Sequence, residues 1–197
     1  MRALLRRIEV SPGFVAFLCA YYYFDPARTF APFVFSVLAH EAAHLLALQL
    51  IGAEIHKLRL CGSGATILTQ PLRYGQEILV ATAGPAVNLL LLALTAQRDP
   101  PLALVNLCLL CYNLLPLYPL DGGRILRAVL RLLFAERAAE LLEQCIGALC
   151  LLSLLALSCY LTCVWHAGLW PVLLCAALLL RIAGTIFPLR RFLARNG

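Results

Sequence analysis

Charge is what this sequence has least of. Asp, Glu, Lys and Arg make up 13% of its 197 residues, about half the share found in a soluble domain. That excludes an ordinary soluble fold. No internal repeat of the kind many transporters carry is present, nor any low-complexity segment. Cys108-Leu-Leu-Cys111 has no second Cys-x-x-Cys to complete a four-thiolate site. The nine cysteines sit mostly among Leu and Ala, where free cysteine packs as a small hydrophobe.

Apolar residues are abundant, at 62%, and they come in runs. A run of about 20 matches a hydrocarbon core about 30 Å thick. Such runs lie at 31–51, 78–96, 102–120, 144–164 and 169–187. A shorter one, 10–24, ends in Tyr21, Tyr22 and Tyr23, which suit an interfacial aromatic belt. A cleaved signal is the other reading of that first run, because Arg2, Arg6 and Arg7 precede it. No Ala-x-Ala-like site follows; bulky aromatics and Asp25-Pro26 do.

With six spans, every basic residue except Arg28 and Arg98 falls on one side. The positive-inside rule makes that side cytoplasmic and puts both termini there. Five spans would separate the two basic termini. The net charge of +6 is thus a topology signal, and no nucleic-acid partner is expected. The expectation is an all-α polytopic membrane protein, a single domain over 1–197 with six transmembrane helices.

Two longer polar connections remain. In "DGGRILRAVLRLLFAERAAELLEQ", Arg124, Arg127 and Arg131 share a helix face, expected to lie beside anionic lipid. In "AEIHKLRLCGSGATILT", residues 53–69, Leu58 and Leu60 alternate with Arg59 and Cys61 before Gly62-Ser63-Gly64. That pattern predicts a β-hairpin between spans two and three. His56 is read there as a solvated strand residue.

The second span carries the chemistry. "SVLAHEAAHLLALQL", 36–50, sets His40, Glu41 and His44 in an otherwise uncharged run. Residues four apart lie on one helix face, so both histidines can meet one ion, with Glu41 about 100° round. His-Glu-x-x-His is the zinc metalloprotease spacing, with Glu as general base. One unpaired charge at mid-membrane costs about 3–15 kcal/mol, and a divalent metal offsets that by binding neutral histidines. The bland alternative is three side chains hydrogen-bonded to one another inside a bundle.

A catalytic zinc takes three protein ligands plus water. The best third candidate is Asp121, in "YNLLPLYPLDGG". Pro116 and Pro119 must break the helix of span four, and unwound backbone at membrane depth needs a protein interior or a cavity. Gly122 and Gly123 are expected to let the chain turn after the aspartate. Spans two and four run in the same direction, which places both motifs in the cytoplasmic half.

These motifs together resemble the site-2 protease family of intramembrane zinc metalloproteases. The matching residues are His40-Glu41-Ala-Ala-His44, Ala83-Gly84-Pro85-Ala-Val-Asn88 and Asn113-Leu-Leu-Pro116-Leu-Tyr-Pro119-Leu-Asp121-Gly122. With no PDZ domain expected, the resemblance points to the group typified by the stage IV sporulation factor FB, in a bacterial cell membrane. No CBS domain is expected after Phe187 either. The resemblance implies one Zn2+ per chain on His40, His44 and Asp121, and Glu41 as general base. Asn113 would hold the substrate or the reacting carbonyl, and Asn88 would order the site or contact substrate.

It also implies a membrane-embedded or membrane-associated protein substrate, such as a sigma-factor precursor or an anti-sigma factor. A membrane regulator is left open as a further partner. A substrate helix must unwind before attack. The hairpin edge at Leu58 and Leu60 would take it as an added strand, with unpaired backbone around Pro116 receiving it from the other side. Two rivals stand beside the protease: a non-catalytic membrane metal carrier on the same ligands, and an inactive binding scaffold.

Overall fold

The computed structural model describes residues 8–10, 12–25, 28–53, 55–61 and 64–164, with Val172, Cys175, Ala176, Leu178 and Leu179. The elements in order are β1 (Ile8–Val10), α1 (Pro12–Tyr23), α2 (Phe30–Leu50), β2 (Ile55–Cys61), β3 (Gly64–Thr69), α3 (Tyr74–Thr95), α4 (Pro100–Asn113), α5 (Asp121–Leu133) and α6 (Glu136–Cys163). The single domain expected over 1–197 divides into two compact units, 1–114 and 115–197. Among the described residues three helices, α2, α3 and α6, are long and apolar enough to cross a membrane; α4 is a shorter apolar helix. The expected first span is the 12-residue α1, and the expected span 169–187 lies largely outside the described residues.

In the first unit α2, α3 and α4 pack against one another. The starts of α2 and α4 are closed by carboxylates. Asp25 accepts hydrogen bonds from the Phe30 N–H at 2.7 Å and the Thr29 hydroxyl at 2.9 Å, which satisfies an amide that the first turn of α2 leaves open. Asp99 accepts from the Leu102 N–H at 3.1 Å, with Pro100 and Pro101 filling the first turn of α4, positions where a missing N–H costs nothing.

The strands change one expectation. β2 pairs antiparallel with β3, with a bulge between Ile55 and Lys57. It also pairs in parallel with β1, Ile8 opposite Leu58 and Val10 opposite Leu60. β2 is therefore the middle strand, so Leu58 and Leu60 do not lie on an open edge. Among the described residues the outer edges belong to β1 and β3.

Span four also differs. Expected over 102–120, the helix ends at Asn113. Pro116 and Pro119 cannot donate to a helical ladder, and each biases the residue before it away from the helical region. Segment 114–120 is instead held by its own turns, Leu117 N–H to Leu115 C=O at 2.7 Å and Leu120 N–H to Leu117 C=O at 2.8 Å. The Tyr118–Pro119 peptide is cis.

From Leu115 onward that segment belongs to the second unit, where Leu117 and Leu120 form a core with Leu178, flanked by Leu115, Cys150, Leu151 and Leu154. Gly122 and Gly123 were expected to make a turn; both lie in the first turn of α5 and are buried. The use of Gly123 is close approach, since a Cβ there would run into the backbone of Leu117 and Tyr118. Arg127, expected beside anionic lipid, is half-buried and paired. Its Nε donates to both carboxylate oxygens of Glu143, at 2.9 and 3.1 Å, and its guanidinium stacks on Tyr118 at 3.9 Å. It thereby ties α6 and the proline segment to α5.

A Gly123→Ala variant tests this packing. Overfilling a tight contact costs about 1–3 kcal/mol, so its melting temperature in detergent should fall clearly below wild type. An unchanged melting temperature would show that the segment yields freely there.

Candidate metal centre

Helix α2 buries one stripe: Ser36, His40, Ala43, His44, Ala47 and Leu48. Ser36, His40 and His44 stack four apart on that face, and Glu41, about 100° round, is half-buried. Helix α3 passes in the opposite sense, so that Val80 lies beside His44 and Asn88 beside His40. Val80, Gly84 and Asn88 are also four apart, so α3 offers a carbonyl, a gap and a carboxamide in register with the two rings.

The partners decide where the ring protons sit. His44 Nδ1 lies 2.8 Å from the Val80 carbonyl, and a carbonyl only accepts, so Nδ1 carries the hydrogen. His40 Nδ1 meets Asn88 Oδ1, an acceptor too. Both rings therefore turn Nε2, with its lone pair, to the same place. The two Nε2 atoms are 3.0 Å apart, close to the separation of about 3.3 Å that two nitrogens keep on a tetrahedral ion at about 2.0–2.1 Å. At that distance the two nitrogens either share one proton as a hydrogen bond or share a metal ion; with no cation between them, two neutral acceptors would repel. The donor set fits a metal.

Gly84 makes the room. A Cβ at this position would overlap the Nε2 of both histidines. The next residue, Pro85, lies inside α3 and removes the N–H that would otherwise bond to the Ala81 carbonyl. The α3 backbone can thus lie against the imidazoles with no side chain between. Sequence reading quoted Gly84 only as part of a motif and did not single it out.

The other expected site residues fall in different places. Asn88 is fully buried and has both ends of its amide engaged: its Nδ2 donates to Asn106 Oδ1 at 2.9 Å. It was expected to contact substrate or to order the site; its side-chain hydrogen bonds are to His40 and Asn106. Asn113 is the half-buried last residue of α4. Asp121 opens α5 in the second unit, buried to 6% exposure, with Arg124 Nη1 3.4 Å from its carboxylate. A carboxylate at a helix start is favoured by the amide dipoles there. Pro116 is half-buried in segment 114–120, and Leu58 and Leu60 are in the middle strand.

Asn106 and Ser36, both fully buried, were missed by sequence reading. A signal was present. Asn106 is the one polar residue between Pro101 and Cys108 in an apolar helix, and Ser36 sits one turn before His40.

Comparison with known proteins adds several likenesses. Residues 101–156 match the sequence profile of Peptidase family M50. The chain is 33% identical over 108 residues to a zinc metalloprotease of Methanocaldococcus jannaschii, and 37% identical over 113 residues to Rip3 of Mycobacterium tuberculosis. These alignments cover 48% of this chain and 32% and 29% of the two relatives, so the chain spans about a third of their length. A solved structure of a site-2 protease from Methanocaldococcus jannaschii matches with a TM-score of 0.61 and 25% identity, over 87% of this chain and 86% of that one. These likenesses are to Peptidase family M50, to a solved site-2 protease, and to two relatives described as a zinc metalloprotease and a putative zinc metalloprotease.

Gly84→Ala should lower zinc affinity by at least about tenfold, the lower end of what changes around a ligand cost. Competition with a chromogenic chelator measures it. Gly75→Ala on the same helix, where an added Cβ meets nothing within 4 Å, is the control that should bind as wild type does. Equal affinity in both variants would place the metal elsewhere.

Proposed function

We propose that this chain is an intramembrane zinc endopeptidase that hydrolyses peptide bonds of membrane-embedded or membrane-associated proteins. The observation that carries the reading is the pair of Nε2 atoms, 3.0 Å apart, that His40 and His44 turn to one point on the helix that also carries Glu41. His40 and His44 are two ligands of one zinc per chain, and Asp121 is the third. Bound there, zinc supplies a Lewis acid for the scissile carbonyl and brings the pKa of its water to about 7.

The remaining work falls to the chain's own groups. The Glu41 carboxylate takes a proton from water as it attacks and passes it to the nitrogen of the departing amine. Asn113 holds the reacting carbonyl through its side-chain N–H. A substrate helix has its amides paired internally and must unwind. The outer edge of β1 or β3 receives the extended peptide as an added strand, in place of the β2 edge first expected. The prolines at 116 and 119 leave backbone groups unpaired for the same purpose.

Six spans with both termini cytoplasmic complete the proposal, on the strength of the basic residues gathered on one side of the chain. Within the family, the likeness to the sporulation factor group offers sigma-factor precursors and anti-sigma factors as the first substrates to try.

Glu41→Gln separates this reading from a metal carrier, because it keeps the shape of the side chain and removes its basicity. Zinc content should stay at the wild-type level. Cleavage of a single-span substrate in co-expression or in proteoliposomes should fall by about 10²–10⁴-fold, the range for a general base. A variant that retains zinc and cleaves at the wild-type rate would overturn the mechanism.

A further inference from the structure

We infer that Asn106 is a positioning residue that sets the tautomer of His40 from two hydrogen bonds away. This deepens the metal reading above and rests on it. In most metal sites the second nitrogen of a histidine ligand donates to a carboxylate or a backbone carbonyl, groups that can only accept. His40 instead faces Asn88, whose carboxamide can present either an oxygen or an NH2 group. Turned the other way, Asn88 would donate to Nδ1. The proton would then move to Nε2 and remove the lone pair a metal needs. Neutral imidazole in water favours that wrong tautomer, so something must hold Asn88 in one orientation.

A chain of buried contacts does so. Asn106 Nδ2 lies 2.8 Å from the Leu102 carbonyl and 2.9 Å from Ser36 Oγ. The carbonyl has no proton to give, so the atom facing it must be the NH2 group of Asn106. The Asn106 oxygen then faces Asn88, at 2.9 Å, and Asn88 must answer with its NH2. That leaves Asn88 Oδ1 for His40, and the proton on Nδ1. Each amide has one allowed orientation once the last is fixed, and the last is fixed by backbone. Reversing Asn106 would set its oxygen against the Leu102 carbonyl, two acceptors with no proton between them. Ser36, Asn88 and Asn106 are each 0% exposed, so water does not stand in. His44 needs no such chain, because Val80 offers it a carbonyl directly.

The test uses the full-length protein in detergent, stripped of metal and labelled with 15N at histidine, and then titrated with Zn2+ against a chelator. Long-range 1H–15N correlation spectra distinguish the two tautomers. Wild type should show His40 with its proton on Nδ1. Asn106→Leu should show a mixture, and its zinc Kd should rise by about 10–100-fold, as for loss of an outer-shell partner. In its acid form Asn106→Asp gives an O–H to the Leu102 carbonyl and still accepts from Asn88 with its other oxygen, so it should keep both the wild-type tautomer and near wild-type zinc binding. It provides the readout if the leucine variant fails to fold.

On an Asn88→Asp background the chain is unnecessary, because a carboxylate only accepts. There Asn106→Leu should change zinc affinity little. A leucine variant with wild-type tautomer and affinity would overturn the inference, as would a mixed tautomer in Asn106→Asp or an undiminished effect on the Asn88→Asp background. A wild type that binds no zinc would overturn the metal reading itself, and the inference with it.

Discussion

Two imidazoles that turn their Nε2 atoms to one point are the constraint on which the first unit depends. In water such an arrangement would be solvated and unremarked. Inside an apolar bundle each polar atom must find a partner, because an unsatisfied buried group costs about 1–3 kcal/mol. The structure meets this on the Nδ1 side with protein acceptors, the Val80 carbonyl and Asn88. On the Nε2 side the two rings meet each other, 3.0 Å apart, at the point where the proposed cation binds. Everything close to the rings follows: a glycine where α3 would otherwise collide, a proline that loosens the same turn, and buried amides on two other helices' faces.

The magnitudes indicate what this polar chain is for. Hydrogen bonds between membrane helices contribute on average about 0.6 kcal/mol each, so the few made by Ser36, Asn88 and Asn106 add little to folding. A single orienting partner of a metal ligand is worth about 10–100-fold in metal affinity, a larger effect from one contact. The buried amides are better explained by the orientation they impose than by the stability they add. Arg127 plays a comparable part in the second unit, where one side chain fixes Glu143 and Tyr118 around the segment that leads into Asp121.

Much of this was legible in the sequence. The long apolar runs foretold α2, α3 and α6, because length and hydropathy are properties of a run and need no partner. The spacing of His40 and His44 is local to one helix, so it could be read directly. Other features needed contacts that a sequence does not display. Asn106 meets Asn88 across 18 residues and Ser36 across 70, and no periodicity encodes such a pairing. β1 is three residues long and precedes an apolar run, so its place beside β2 was hidden. Gly122 and Gly123 were read as a turn because glycine serves both for turning and for close approach, and only the neighbouring backbone tells which. Span four was drawn past Pro116 on hydropathy alone, although the same prolines had been seen to break it.

The chain carries nine cysteines, so sulfur is the natural competitor for any zinc it holds. X-ray absorption at the zinc edge of the purified, metal-loaded protein distinguishes the two directly. The account predicts a shell of nitrogen and oxygen at about 2.0–2.1 Å, with outer-shell scattering from two imidazoles and no sulfur. A sulfur shell at about 2.3 Å, or scattering from no imidazole, would contradict it.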